Sequence, residues 1–274
     1  MVDLSKLCIH TITTKPWKLA EAVGYYTEAG VKGISVWQDS ANELGPEQSG
    51  KLIRESGIEV VSYVRGGFFP HTNKTEREKA LLNNKKMIEE AAALGAPMLV
   101  LVCGAEPGQN LEESRKQIQG GIESLLDHAE KNKVQMTIEP LHPMYADTRS
   151  AINTLQQANE IAEAIDSKWV GVAVDVYHLW WDPDLENQIN RCQKNDNLSA
   201  FHICDWNVPT TDMLLDRGLM GEGCIKLDRI KNWVLDAGFE GYHEVEIFSE
   251  RFWKLNQKDF LDKIVKSYSD YWES

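Results

Sequence analysis

No apolar run in this sequence approaches the roughly 20 residues that a membrane-spanning helix needs. Its start, MVDLSKLCIHTI, lacks the basic-then-apolar layout of a secretory signal. Cysteine is scarce: five residues, an odd number, with no C-x-x-C pair. That usage argues against a disulfide scaffold and for a reducing, cytoplasmic setting. Positive charge is also short, 29 Lys and Arg against 42 Asp and Glu, for a net charge of −13. Nucleic-acid binders draw most of their affinity from basic faces, so this balance lowers that prior. Linkers and low-complexity segments are missing. No glycine falls in His10-Thr11-Ile12-Thr13-Thr14-Lys15, where a doubly wound nucleotide-binding fold would carry its phosphate loop.

What the chain does have is a repeated alternation of short β-rich runs with longer amphipathic ones. The runs are β1 (7–13), β2 (33–38), β3 (60–65), β4 (98–103), β5 (134–140), β6 (170–177), β7 (198–204) and β8 (242–248), each rich in Val, Ile, Leu or aromatic residues. Helical periodicity covers 74–94, 111–131 and 150–165 among the intervening segments. Gly30, Gly57, Gly95 and Gly238 follow helical stretches and precede strands, the placement of helix C-caps. Eight such units in 274 residues, 42% hydrophobic, predict an α/β protein, a (β/α)8 TIM barrel in one domain spanning residues 1–274. The irregular stretch 205–223 is the longest, and loops of that length are usually functional; it reads as part of the site or its lid.

Functional groups of such barrels collect where strands end. β5 ends in Thr137-Ile138-Glu139, β6 in Ala173-Val174-Asp175, β7 carries Ala200-Phe201-His202, and β8 carries Glu244-Val245-Glu246. Strand residues alternate faces, so one phase points Glu139, Asp175, His202 and Glu246 into the barrel and leaves Ile138, Val174, Ile203 and Val245 against the helices. Three converging carboxylates repel unless a cation joins them. With one imidazole they form an oxygen-rich set for one divalent metal ion, manganese first, with magnesium, cobalt or zinc as alternatives.

Glu244 lies one layer deeper and reads as a supporting hydrogen-bond partner. His178 could bond a substrate oxygen or be a structural loop histidine. His142 is a second candidate contact. Arg217 could clamp substrate oxygens or pair with a loop acid, and Trp37 could wall the pocket or pack in the core. His10, Cys103 and His71 also fall near strand ends but carry no assigned role. No basic cluster stands beside these positions in sequence, which favours a neutral sugar or cyclitol.

The stretches Ile138-Glu139-Pro140-Leu141, Asp175-Val176-Tyr177-His178, Phe201-His202-Ile203-Cys204-Asp205, Arg217 with Gly221-Glu222-Gly223, and Glu244-Val245-Glu246 resemble the xylose-isomerase-like TIM barrels. More narrowly they resemble the sugar phosphate isomerase/epimerase group, with its ketose 3-epimerases and inosose dehydratase and isomerase. The resemblance implies that Glu139, Asp175, His202 and Glu246 hold the metal, and that His178 and Arg217 bind substrate. It further implies that Glu139 and Glu246 move a proton α to a carbonyl through a metal-stabilised enediolate. The implied enzyme is an isomerase or epimerase of a ketose or cyclic polyhydroxy ketone. The alternative is a lyase or dehydratase that expels a substituent from an inosose or 3-keto-glycoside through the same enolate. Relatives often pair as dimers or tetramers.

Two places depart from the ketose epimerases. His142-Pro143-Met144-Tyr145 stands where they carry a further glutamate, and Val102-Cys103-Gly104 lacks their sugar-stacking aromatic. A nuclease of the same superfamily would need further histidines at the ends of β3 and β4 and an Asp-x-His pair after β7. Cys103 and Thr211-Asp212-Met213-Leu214 do not supply them.

Overall fold

The computed structural model describes residues 3–272. Eight strands close into a parallel barrel in the ring order β1-β8-β7-β6-β5-β4-β3-β2. They are β1 (Leu7–His10), β2 (Gly33–Trp37), β3 (Glu59–Gly67), β4 (Met98–Val102), β5 (Gln135–Glu139), β6 (Val170–Asp175), β7 (Leu198–Ile203) and β8 (His243–Val245). Closure removes every sheet edge, and helices cover the outside. No helix among the described residues is long and apolar enough to cross a membrane.

The two faces of the strands separate as alternation requires. Ile9, Ile34, Ile138, Val172, Val174, Phe201, Ile203 and Val245 are fully buried in the core shared with the helices. Each such side chain stabilises the fold by about 1.5–3 kcal/mol relative to exposure. The opposite face is small and polar. Ser35 Oγ on β2 donates to Glu244 Oε2 on β8 at 2.6 Å, and Ser62 Oγ on β3 reaches the same oxygen at 3.4 Å. Those bonds run across the barrel interior, so the lower layer is tied together by hydrogen bonds.

Several strands stop short of the apolar runs that encode them, each for a local reason. β6 ends at Asp175 because its Oδ1 accepts from Tyr177 N at 2.7 Å, which caps a one-turn helix, Val176–Leu179. β1 ends at His10, and Thr13 beyond it instead donates through Oγ1 to Val245 O and accepts from Ile247 N. Helix Lys74–Leu94 spans its expected range, with Asn73 as N-cap and Gly95 (φ 90°) as left-handed C-cap. The helical stretch 111–131 is broken at Ser124–Leu125 into Leu111–Glu123 and Leu126–Asn132. The last of the three begins only at Leu155, capped by Thr154.

The stretch 205–223 folds back on itself. Asp205–Trp206 and Arg217–Gly218 form a small antiparallel pair, and the Tyr145 and Tyr177 hydroxyls both donate to Met213 O, at 2.7 and 2.8 Å. The segment therefore lies across the mouth of the barrel, pinned from β5 and β6.

Candidate metal centre and its surroundings

Glu139 and Asp175 close β5 and β6, His202 lies on β7, and Glu246 follows the last residue of β8. Parallel register places Asp175 beside His202 and His202 beside Glu244. One donor atom from each of Glu139, Asp175, His202 and Glu246 falls within 4.8 Å of the other three, and all four residues are buried. His202 Nδ1 lies 2.9 Å from Glu139 Oε1 and 4.0 Å from Asp175 Oδ2, and neither His202 Nδ1 nor Glu139 Oε1 makes a hydrogen bond. Burying such groups unsatisfied costs about 1–3 kcal/mol each. A divalent cation would satisfy both, and three oxygens with one nitrogen suit Mn, Mg, Co or Zn.

The charges around the cluster are strongly biased. Burial pushes the Asp175 carboxyl up to about 7; Glu246 and Glu139 add to the rise and Arg217 opposes it. Burial resists ionisation of Glu246 too, but His10 and Arg217 outweigh it and hold that carboxyl well below its usual range. For His202 burial works against the proton, yet Glu244, Glu139 and Glu246 lift its pKa to about 10. A metal at His202 therefore competes with the proton that these carboxylates favour there.

Arg217 reaches this cluster from the hairpin. Its Nη1 donates to Glu246 Oε2 at 2.9 Å and to Asp175 Oδ2 at 3.2 Å, while its guanidinium packs on Tyr177 and Phe248. Arg217 Nη2 also lies 3.2 Å from His178 Nε2. Arginine can only donate, so Nε2 accepts and the imidazole proton sits on Nδ1, which is buried without a partner. Burial, then the Arg217 charge, keep His178 well below the ordinary imidazole pKa and hence neutral. A neutral imidazole with one free N–H can bond a substrate oxygen.

His10, left without a role by its sequence, lies in the middle of the site. Nε2 is 3.1 Å from Glu244 Oε2 and Nδ1 is 3.1 Å from Glu246 Oε1, with the ring edge-on to His202. Trp37 Nε1 also approaches His10 Nδ1, at 3.3 Å. The two contacts at Nδ1 demand opposite protonation. Two carboxylates flank the ring and raise its pKa against the effect of burial, which favours the shorter carboxylate contact. His10 has the same strand phase as Cys8, whose Sγ meets Ser35 inside the barrel, but its sequence neighbours carry no sign of the site.

Trp37, Arg65, Glu139, Tyr145, Arg149, His178, Leu214, Arg217 and Glu246 are among the residues lining the cavity at the mouth. His142 does not join them. Its Nδ1 accepts from Met144 N at 3.2 Å, starting the turn Pro143–Tyr145, and its ring packs against Trp206 and Trp181. The same loop contributes Leu141, Tyr145 and Arg149 to the cavity instead. With Leu214 among its lining residues, the cavity measures about 30 Å³, room for little more than a water. A larger groove, about 740 Å³, lies beside Glu163 and Arg191. These two already satisfy each other through a bidentate pair at 2.7 and 2.5 Å.

A closed parallel (β/α)8 barrel with a histidine–carboxylate cluster at the strand ends defines the class. A family model for xylose isomerase-like TIM barrels matches residues 23–266, and the chain belongs to that family. Among curated proteins it is similar to an inosose isomerase of Bacillus velezensis, 26% identical over 93% of each chain. It is also similar to a probable endonuclease 4 of Mesomycoplasma hyopneumoniae, 26% identical over 72% of this chain and 77% of that protein. Among solved structures it is similar to protein SMc04130 from Sinorhizobium meliloti 1021, 43% identical, with 98% of each chain covered and a TM-score of 0.94. An IOLI protein with a bound zinc atom shares the fold at 21% identity and a TM-score of 0.85, over 97% of each chain.

Proposed function

We propose that this protein is a divalent-metal-dependent isomerase or epimerase that moves a proton on the carbon next to the carbonyl of a polyhydroxy ketone. The observation that carries the reading is the pair Glu139 and Glu246. They come from β5 and β8, three positions apart in a ring of eight, and so approach one space from nearly opposite sides. Both belong to the cluster whose donors converge within 4.8 Å. A divalent ion bound there would polarise the ketone oxygen and offset the charge that develops on it.

The remaining work falls to the side chains. Glu246, kept ionised by His10 and Arg217, takes the proton from one face, and Glu139 on the other side delivers one that it has taken from solvent; the two carboxyls regain their starting states by exchange with water. His178 Nδ1–H and the Arg217 guanidinium are donors for the substrate's oxygens. Leu214 and the pinned segment around Met213 exclude water, and must lift to admit a sugar into a 30 Å³ space. The inosose isomerase relatives support a sugar or cyclitol substrate.

The test is incubation of metal-loaded protein with ketoses, inososes and 3-keto-glycosides in D2O. Deuterium at a single carbon, with no mass lost, is the expected result. Loss of water or aglycone would assign a lyase that uses the same enolate. No exchange with any ketone would remove proton transfer altogether.

A further inference from the structure

The cavity contains two cations that the proton transfer does not use. Arg65 projects from β3 at a break in register: Val64 pairs with Val100 and Gly66 with Leu101, so Arg65 is left without a partner on β4. An extra residue of this kind re-aims its side chain, and such breaks gather beside active sites. The Arg65 guanidinium packs over Phe68, 4.9 Å from the ring centroid, and over Trp37 at 5.7 Å. Arg149, on the loop after β5, packs over Tyr145 at 5.4 Å. Both line the cavity with Glu139 and Glu246.

Among the described residues neither guanidinium has a hydrogen bond or an ion pair. The carboxylates below them are already engaged: Arg217 holds Asp175 and Glu246, His202 lies against Glu139, and His10 bridges Glu244 and Glu246. Burial, and next the charge of Arg149, depress the Arg65 pKa, and the carboxylates of Glu139, Asp39 and Glu246 only partly offset them, so the two cations stand within each other's field. Two half-buried like charges on aromatic platforms, with their N–H edges unused, are an unfavourable pair that an anion between them would relieve.

We infer that Arg65 and Arg149 form an anion subsite at the barrel mouth, and that the substrate is a polyhydroxy ketone bearing a carboxylate or phosphate. The position of the carbonyl rests on the proton-transfer reading; the anion subsite is tested apart from it. Two planar forks suit a carboxylate or a phosphate equally, and the sources separate by experiment.

Zinc-loaded full-length protein is titrated calorimetrically with D-fructose, D-fructuronate and D-fructose 6-phosphate, with deuterium exchange followed in parallel. Charged hydrogen bonds of this kind predict that at least one anion binds about 10- to 100-fold tighter than fructose. Arg65→Met and Arg149→Met should each remove most of that advantage, lowering anion affinity far more than fructose affinity, whereas Arg65→Lys should keep part of it. The tighter anion names the source. Anions that bind no better than fructose, or a preference that survives both substitutions in folded protein, overturn the subsite. Exchange with fructose but no anion preference would do so while leaving proton transfer standing. Anion preference without exchange would do the reverse.

Discussion

Replacing Asp205 by Asn should loosen the segment over the barrel mouth, and the cost can be worked out bond by bond. Asp205 is fully buried, and its carboxylate accepts four backbone N–H bonds. Oδ1 takes Trp206 N at 2.8 Å and Ile225 N at 3.0 Å; Oδ2 takes Gly221 N at 3.0 Å and Gly223 N at 2.9 Å. Together they stitch the two ends of the segment. The chain is drawn in so tightly that a Cβ on Gly223 would meet Trp206 O at 2.1 Å. An asparagine keeps the shape but offers one acceptor oxygen, so two of the four donors would face an NH2 group. Bonds to a charged acceptor are worth about 1.5–3 kcal/mol each, giving a loss of about 3–6 kcal/mol before relaxation and about 3–4 kcal/mol once water enters.

At about 2–4 °C per kcal/mol for a chain of this size, Tm should fall by roughly 6–16 °C. Thermal unfolding followed by circular dichroism, without metal, measures it. Asp205 also pairs with Gly218, next to Arg217, so the guanidinium should lose its hold on Asp175 and Glu246 in the same variant. A Tm within about 2 °C of the parent would refute the reasoning, since the four bonds would then contribute almost nothing net.

The other predictions concern the metal cluster and the lid. Glu246→Gln should retain the fold and lower deuterium exchange about 10²- to 10⁴-fold, the range of a lost general base; unchanged exchange would take Glu246 out of the mechanism. Zinc binding should release protons. His202 titrates near 10 and Asp175 near 7, and both must be deprotonated to ligate. Affinity should therefore rise about tenfold per pH unit above pH 7, where only His202 must yield its proton, and more steeply below it. Calorimetry in phosphate and in Tris reads the proton release, and a pH-independent affinity would contradict it. Tyr145→Phe or Tyr177→Phe alone should change little, because the other hydroxyl still reaches Met213 O. The double substitution should expose residues 207–216 to limited proteolysis, and equal cleavage rates in all four proteins would show that the hydroxyls do not pin the segment.

How much of this could be read in the sequence follows from what strand alternation encodes. Once the runs that carry Glu139, Asp175 and His202 are taken as parallel neighbours, period two fixes which side each residue faces. The observed pairing of Asp175 with His202 and His202 with Glu244 is that phase carried across three strands. His10 obeys the same rule, but it stands alone at the end of β1. Without an acid beside it in sequence, nothing marks it until the barrel closes and brings Glu244 and Glu246 from the far end of the chain.

Arg65 defeats the rule itself. Ser62 points inward to Glu244, so strict alternation would turn Arg65 outward toward the helices; the slip in register between Val64 and Gly66 reverses it. His142 fails for another reason: whether its ring joins the site depends on Trp206, which folds in from a segment with no period at all. Arg149 arrives from a loop of the same kind. The side chains proposed to handle a proton therefore sit where alternation is intact, as a fixed cluster across several strands requires. Those that would choose which ketone is bound sit at a bulge and in loops, where a change alters the pocket and leaves the barrel standing. For that reason the proposed reaction class rests on the periodic part of this sequence, while the proposed charge of the substrate rests on residues that come together only once the chain is folded.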